Sequence, residues 1–303
     1  MDGMDTRPRI VVGAYPTYVG APELTAGIIA DLADHPDVGG LELPWSEAIA
    51  VPDGCPGHWR HVVTCIPGTM VRLGQNPAYG LASPDADGRR QALADLRGVR
   101  DEVARLGTVR AVEIHSAPTR TAQAAAFGES LAEVTEWDWG ATTLVVEHCD
   151  RWREAATVQK GFLSYEAELA VVTGLTGRTP LRMGINWGRS VIESEDVTAP
   201  EAQAAAAAGV DRLGALMFSS VSHRVTAFGA AWLDAHLAPA DTSSAEPGTL
   251  LTEAHLRRCL RAAGPSYEGI VGIKVGVKPD TLTAAQRAAR LLEVVALVVE
   301  AAT

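Results

Sequence analysis

Apolar residues along this chain fall into short runs that recur eight times, and several close on an acid, a base or an amide followed by turn residues. In order they are Ile10–Thr17, Gly39–Trp45, His61–Pro67, Val109–Pro118, Thr142–Asp150, Leu181–Ser190, Arg212–Ser222 and Gly269–Val277. Most of the intervals are rich in Ala, Leu and Arg with helical periodicity. Leu93, Leu96, Val99, Val103 and Leu106 mark one face of a helix over Arg89–Leu106. Other helices are expected near Ala21–His35, Thr121–Val134, Ser164–Gly174, the alanine run Ala204–Ala208, Thr252–Ala263 and Thr283–Ala302. Two long stretches, Gly68–Gly88 and Ser222–Gly248, carry turn chemistry and are expected as elaborated loops after strands three and seven. Eight strand–helix units in 303 residues predict an α/β fold, a (β/α)8 TIM barrel formed by one domain over 1–303. In such a barrel the strand C-terminal ends converge, so the polar residues that close the runs meet in space.

Side chains alternate between the two faces of a strand, and the set facing the helices must be apolar. That rule sends Val112, Ile114, Leu144, Val146, Leu41 and Leu43 outward. It sends Glu42, Glu113, His115, Glu147, Asn186 and Lys274 inward, with Tyr15 in the same register. His148 faces the helices by the same alternation. So many ionisable groups in one lumen are costly unless they pair, meet a metal or face a solvated cavity. Any one of them is as well explained by a Glu–Lys or Glu–His pair. Taken together at strand C-terminal ends, they favour a functional site.

Composition narrows the partners. Net charge is −11 with scattered basic residues, which argues against nucleic acid or an anionic membrane as the main partner. A small-molecule substrate is expected, with a homodimer as the expected assembly. The start, Met1–Arg9, is charged and lacks the apolar core of a leader, and Leu292–Ala302 is too short and too charged to span a bilayer. Cys55, Cys65, Cys149 and Cys259 show no metal or disulfide spacing, so a reducing, cytoplasmic location is expected. The glycines form no GxGxxG or P-loop, so no nucleotide cofactor is expected.

Three segments carry a family resemblance: Gly-Leu-Glu-Leu after the first helix, Val-Glu-Ile-His-Ser-Ala-Pro at strand four, and Leu-Val-Val-Glu-His at strand five. They resemble the xylose isomerase-like TIM barrels, which include sugar epimerases, hydroxypyruvate isomerases, inosose dehydratases and endonuclease IV-type enzymes. The combination of Val-Glu-His-Cys-Asp, Lys-Gly-Phe-Leu-Ser, Gly-Ile-Asn-Trp-Gly-Arg-Ser and Gly-Ile-Lys-Val resembles an uncharacterised bacterial branch of that superfamily, a domain of unknown function. The resemblance implies a divalent metal held by Glu, Asp, His and Glu from strands five to eight. Glu147 matches the first position. Asn186 replaces the Asp, with Arg189 where a later His is typical. The seventh run ends Met-Phe-Ser-Ser, including Ser219, without a His, and Lys274 replaces the final Glu.

Two accounts follow. One divalent metal (Mn, Mg or Zn) binds through an altered set that includes His115 and Glu147, with Glu42 or Asn186. Alternatively no metal is needed, and Lys274 supplies the fixed positive charge beside Glu147. The resemblance implies an isomerase or epimerase acting on a sugar-like or hydroxy-carbonyl molecule by proton abstraction. Glu147 is then the base, His115 or Glu42 the acid partner, and Lys274 the charge stabiliser. Trp45 and Trp187 follow strand-end polar residues and suit aromatic walls, while Lys160 and Arg189 suit a carboxylate or phosphate. Glu113, Asn186, Ser219 and Tyr15 complete the expected substrate contacts. A lyase or dehydratase using the same proton abstraction is the alternative reaction. A barrel that binds a sugar or a protein partner without catalysis is the alternative class.

Overall fold

A computed structural model describes residues 9–18, 21–154 and 158–303. The opening segment 1–8, on which the leader reading rests, lies outside the described residues.

Eight parallel strands close into a barrel in sequence order. They are β1 (Ile10–Gly13), β2 (Val38–Pro44), β3 (His61–Thr64), β4 (Val109–Ile114), β5 (Thr143–Glu147), β6 (Leu181–Asn186), β7 (Leu213–Phe218) and β8 (Ile270–Lys274). Closure is made by β1 against β8, with Gly13 opposite Lys274. The helices around it are α1 (Pro22–Ala33), α2 (Ile66–Gln75), α3 (Ala86–Leu106), α4 (Ala124–Glu136), α5 (Tyr165–Gly174), α6 (Trp187–Ser194), α7 (Ala199–Gly209), α8 (Glu253–Ala263) and α9 (Ala284–Ala302). Among the described residues none of them is long and apolar enough to cross a membrane.

Alternation divides the core into two layers. Leu41, Leu43, Val63, Val112, Ile114, Leu144 and Val146 join the helices in the outer core. Val11, Val62, Ala111, Val145, Ala215, Met217 and Ile270 form a separate apolar cluster inside the barrel. These residues precede the inward-facing charged residues on their strands or pair beside them, so the charges sit above a dry floor. Helix starts follow their caps. Asp85 accepts from Gly88 N at the start of α3, and Ser164 accepts from Ala167 N at the start of α5. Thr252 and Thr283 open α8 and α9 with reciprocal capping boxes.

Two expectations are corrected. The segment after β3 is not a loop from Gly68: α2 occupies Ile66–Gln75. Pro67 sits in its first turn, where a missing N–H costs nothing. Gly68 is there because Trp45 lies against it; a Cβ would come within 2.3 Å of the indole. Ile66, with Met70 and Leu73 packed against it, gives the helix its apolar side. The second correction lies between β6 and β7, where two helices stand instead of one. α6 begins directly at the strand end, with Asn186 as its N-cap residue and no turn residues between.

The segment from Ser219 to Leu251 crosses the C-terminal end of the barrel with neither helix nor regular strand. It is tied down by paired backbone hydrogen bonds between Ser220 and Leu237. Trp232 N donates to Ser222 O, and Gly276 N, just past β8, donates to His236 O.

Candidate active site

The charged residues that alternation sends inward converge at the C-terminal ends of the strands, and none of Glu42, Glu113, His115, Glu147 and Lys274 is more than 3% exposed. At the centre is Glu147, the last residue of β5. Its Oε1 accepts from Asn186 Nδ2 at 3.1 Å, and its Oε2 lies 2.7 Å from His115 Nε2 and 2.9 Å from Arg189 Nη1. Ser219 Oγ donates to Asn186 Oδ1 at 3.1 Å, which fixes the amide so that its NH2 faces Glu147. Burial alone would raise the Glu147 carboxyl. Arg189 and Lys274, with the His115 hydrogen bond, instead hold it well below the usual carboxylate range.

An ionised carboxylate can only accept, so the proton on the His115 ring belongs on Nε2. Nδ1 is then a bare lone pair, buried and without a hydrogen-bond partner among the described residues. Burial lowers the His115 pKa and outweighs the upward pull of Glu147, so the ring is neutral. The resulting carboxylate–imidazole pair has the logic of a hydrolase dyad: one nitrogen held, the other free to take a proton.

On the other side of the lumen, Lys274 Nζ donates to Glu42 Oε1 at 3.0 Å and stands 5.1 Å from the centre of the Tyr15 ring. Burial disfavours the ammonium, but Glu42, Tyr15 and Glu147 hold the lysine well above its ordinary value. Gly13 makes room for this pair, since a Cβ there would meet Glu42 Oε2 at 2.5 Å and Lys274 Cβ at 3.1 Å. Glu113 differs from its neighbours, because neither of its oxygens has a hydrogen-bond partner among the described residues. Burial, then Glu147 and Glu42, push its carboxyl well above the usual range, which favours the protonated acid. The two carboxyls are thus driven apart, Glu113 toward the acid and Glu147 toward the carboxylate.

Arg189, from the first turn of α6, ties the lumen to its rim. Its Nη1 also donates to Cys149 Sγ at 3.1 Å, and its Nε donates to Asp234 Oδ2 at 3.2 Å. Lys160 Nζ donates to the same oxygen at 3.2 Å. Lys160 is placed by Asp150, whose carboxylate accepts from the backbone N–H groups of Gln159, Lys160 and Gly161. Trp45 lines a small cavity that His115 also lines. Trp187 does not join the site and corrects the expected aromatic wall. It is buried in the helix-side core, its ring 5.5 Å from that of His255 on α8. The cause is geometric: α6 starts at residue 187 and turns that side chain away from the strand's inward series.

Sequence reasoning missed Asp234, whose only signal was an acid two residues before His236 in a loop without periodicity. It also missed the surroundings of His148. As alternation requires, that ring faces the helices, with Nδ1 2.7 Å from Glu168 and Nε2 3.0 Å from Glu193. Burial would lower its pKa, but the two glutamates lift it to about 10. Ser116 Oγ donates to the same Glu168 and accepts from Leu163 N, so this clamp fixes the segment that follows His115.

A family described as a domain of unknown function, DUF4862, matches residues 11–290. The chain belongs to the DUF4862 family. It is 34% identical over 293 residues to the uncharacterized protein STM3670 of Salmonella typhimurium, covering 90% of this chain and 91% of that one. Among solved structures, the barrel is similar to the IolI protein with a bound zinc atom, at TM-score 0.63 and 12% identity, covering 96% of this chain and 98% of that one. It is also similar to a xylose isomerase-like TIM barrel protein from Mycobacterium smegmatis in complex with magnesium, at TM-score 0.54 and 11% identity over 100% of both chains. At these identities the likeness is one of fold, and the structural neighbours of this DUF4862 barrel are xylose isomerase-like TIM barrels.

Metals in those neighbours make the donor set here worth testing. Among the described residues two groups of side chains bring potential ligand atoms within 4.8 Å of one another: Glu42, Glu113 and Glu147, and His115, Glu147 and Cys149. Neither fits a divalent ion well. Both Glu147 oxygens are engaged by Asn186, His115 and Arg189, and Glu42 Oε1 is engaged by Lys274. Burial holds Cys149 as a thiol, and it faces a guanidinium. Among the described residues Glu113 has both oxygens unengaged and Glu42 has Oε2, but two cations already stand at the carboxylates.

Proposed function

We propose that this DUF4862 barrel is an isomerase or epimerase of small hydroxy-carbonyl molecules, sugar-like in size, and that it moves a proton without a metal. The observation that carries this reading is the composition of the enclosed lumen. Around Glu147 and Glu42 at the strand ends stand a neutral imidazole with a bare Nδ1, a carboxyl without a hydrogen-bond partner among the described residues and a buried ammonium. Those are the groups needed to remove a proton beside a carbonyl, protonate an oxygen and stabilise the charge that develops.

His115 Nδ1 takes the proton from the carbon next to the substrate carbonyl, and the electron pair moves onto the carbonyl oxygen. Lys274 and Arg189 stabilise the resulting enediolate oxygen. Glu113 gives its proton to that oxygen and takes the one from the neighbouring hydroxyl, whose oxygen becomes the new carbonyl, while the imidazolium delivers its proton to the former carbonyl carbon; an epimerisation instead needs the returning proton to come from Glu113 and not from His115. Glu147 is too well stabilised to be a strong base. Its role is to hold the His115 tautomer and to balance the imidazolium as it forms. Positioned acid–base groups contribute on the order of 10²–10⁴ in rate, and one preorganised charge on the oxyanion on the order of 10²–10³. The xylose isomerase-like neighbours support this class of reaction at the level of fold.

The test is solvent exchange. The protein is incubated in D2O with a panel of aldoses, ketoses, their acid derivatives and their phosphate esters, and deuterium incorporation is followed by proton NMR. At least one hydroxy-carbonyl compound is expected to exchange, with a loss of about a hundredfold or more in His115→Gln. Absence of exchange across the panel, or equal rates in the variant, would contradict the reading.

A further inference from the structure

The groups assigned to proton transfer are sealed, and the seal has a chemical signature. The span 223–236 lies over the barrel mouth, and every one of its residues is exposed or only half-buried. Against the mouth, Phe228 and the backbone of Ala235 come up beside Gly276, just past β8. One charged side chain of this span reaches in. The Asp234 carboxylate is 5% exposed and takes both Lys160 Nζ and Arg189 Nε on the same oxygen. It is flanked by Trp232 and His236, whose φ values of 59° and 53° lie in the left-handed region that bulky side chains rarely adopt.

Ion pairing shows what Asp234 does there. Lys274 is paired with Glu42, and Arg189 reaches both Glu147 and Asp234. Lys160 pairs with Asp234. Lifting this strap would take Asp234 from both cations and leave Lys160 without its carboxylate.

We propose that Asp234 is a removable stand-in for the substrate, and that the substrate carries an oxyanion, a carboxylate or a phosphate, that replaces it on Lys160 and Arg189. This rests on the lumen being the reaction site, and it adds the substrate's charge and the residues that select it. The strap is the gate, Asp234 its latch, and Lys160 with the Nε edge of Arg189 the anion subsite. Neutral sugars lack the group that displaces the latch and are excluded on that ground. Asp150 sets the subsite by holding the backbone around Lys160.

The test measures binding without turnover, so it stands or falls apart from the exchange assay. Orthophosphate and acetate are titrated calorimetrically into the full chain at constant ionic strength, for the wild type, Asp234→Asn and Asp234→Asn/Lys160→Met. The single variant is expected to bind at least one of the two anions ten or more times more tightly than the wild type, and the double variant to lose that gain. A larger gain for orthophosphate identifies a phosphorylated substrate, and a larger gain for acetate a carboxylate. No gain for either anion, or a gain that survives Lys160→Met, overturns the proposal. A second readout uses the wild type alone. Tryptic cleavage after the exposed Arg224 is expected to accelerate severalfold in the better of the two anions relative to chloride, because the anion frees the strap. A rate that neither anion changes overturns it as well.

Discussion

Replacing Lys274 by Met removes the ammonium from a fully buried pair and leaves its partner in place. In the native lumen Nζ is 3.0 Å from Glu42 Oε1, and both side chains have no exposed surface. Removing one partner of a buried pair costs about 3–5 kcal/mol, because the remaining charge stays desolvated. Glu42 also faces Glu147 and Glu113, so no other cation takes over within hydrogen-bond reach. The variant has one escape, which is to protonate Glu42. Burial already raises the pKa of that carboxyl with Lys274 present, and without Lys274 it rises further. A folded-state pKa above the unfolded one gives stability that is present below the unfolded value and is lost as pH rises through the folded value. The deficit of Lys274→Met against wild type should therefore be largest at pH 8 and shrink toward pH 5. In Lys274→Met/Glu42→Gln the buried charge is gone, and the residual cost is that of an unpaired amide, about 1–3 kcal/mol, without that pH dependence. Solvent exchange should be lost by about 10²–10³ in both variants. The assay is equilibrium urea denaturation across pH 5–8, alongside deuterium incorporation. A single variant that loses less than about 1 kcal/mol, or a double variant no better than the single, would refute the assignment of a charged buried pair.

Two further outcomes follow from the same structure. His148 has a folded pKa of about 10 against an ordinary value of 6.5, so its clamp on Glu168 and Glu193 stabilises fully below about pH 6.5 and is lost as pH rises toward 10. Unfolding free energy should fall by a few kcal/mol over that window in the wild type, and His148→Gln should remove that part of the slope. An unchanged slope in the variant would show that the ring is not the titrating group. Gly13→Ala places a methyl 2.5 Å from Glu42 Oε2, and should cost about 1–3 kcal/mol as overpacking and slow exchange by disturbing Lys274. A neutral effect on the denaturation midpoint would refute so close an approach.

The barrel and most of its polar lining were legible because strand alternation is a local rule. One residue in two faces the lumen, so Glu42, Glu113, Glu147, Asn186 and Lys274 could be placed from β2, β4, β5, β6 and β8 alone. The departures from the ligand set that the resemblance implies, Asn186 and Lys274, were legible for the same reason, since both stand at strand ends. What local rules do not carry is contact across the chain. α2 was hidden because Pro67 and Gly68 read as turn residues, and only the indole of Trp45 explains the glycine. Trp187 reads as a strand-end aromatic until α6 turns it outward. Asp234 lies 74 residues from Lys160 and 45 from Arg189, in a segment with no period to betray its direction. The proposed division of roles between His115 and Glu147 depends on Arg189 reaching back to β5, which no spacing announces.

The central claim is that the chain's own cations, and not a metal, carry the charge of the reaction. The most direct measurement is solvent exchange by protein treated with chelator and checked by elemental analysis, with and without added Zn²⁺, Mg²⁺ or Mn²⁺. The account predicts that exchange persists in the stripped protein, is not raised by any of the three ions, and disappears in His115→Gln. Exchange that vanishes on stripping and returns with one of the ions would contradict it.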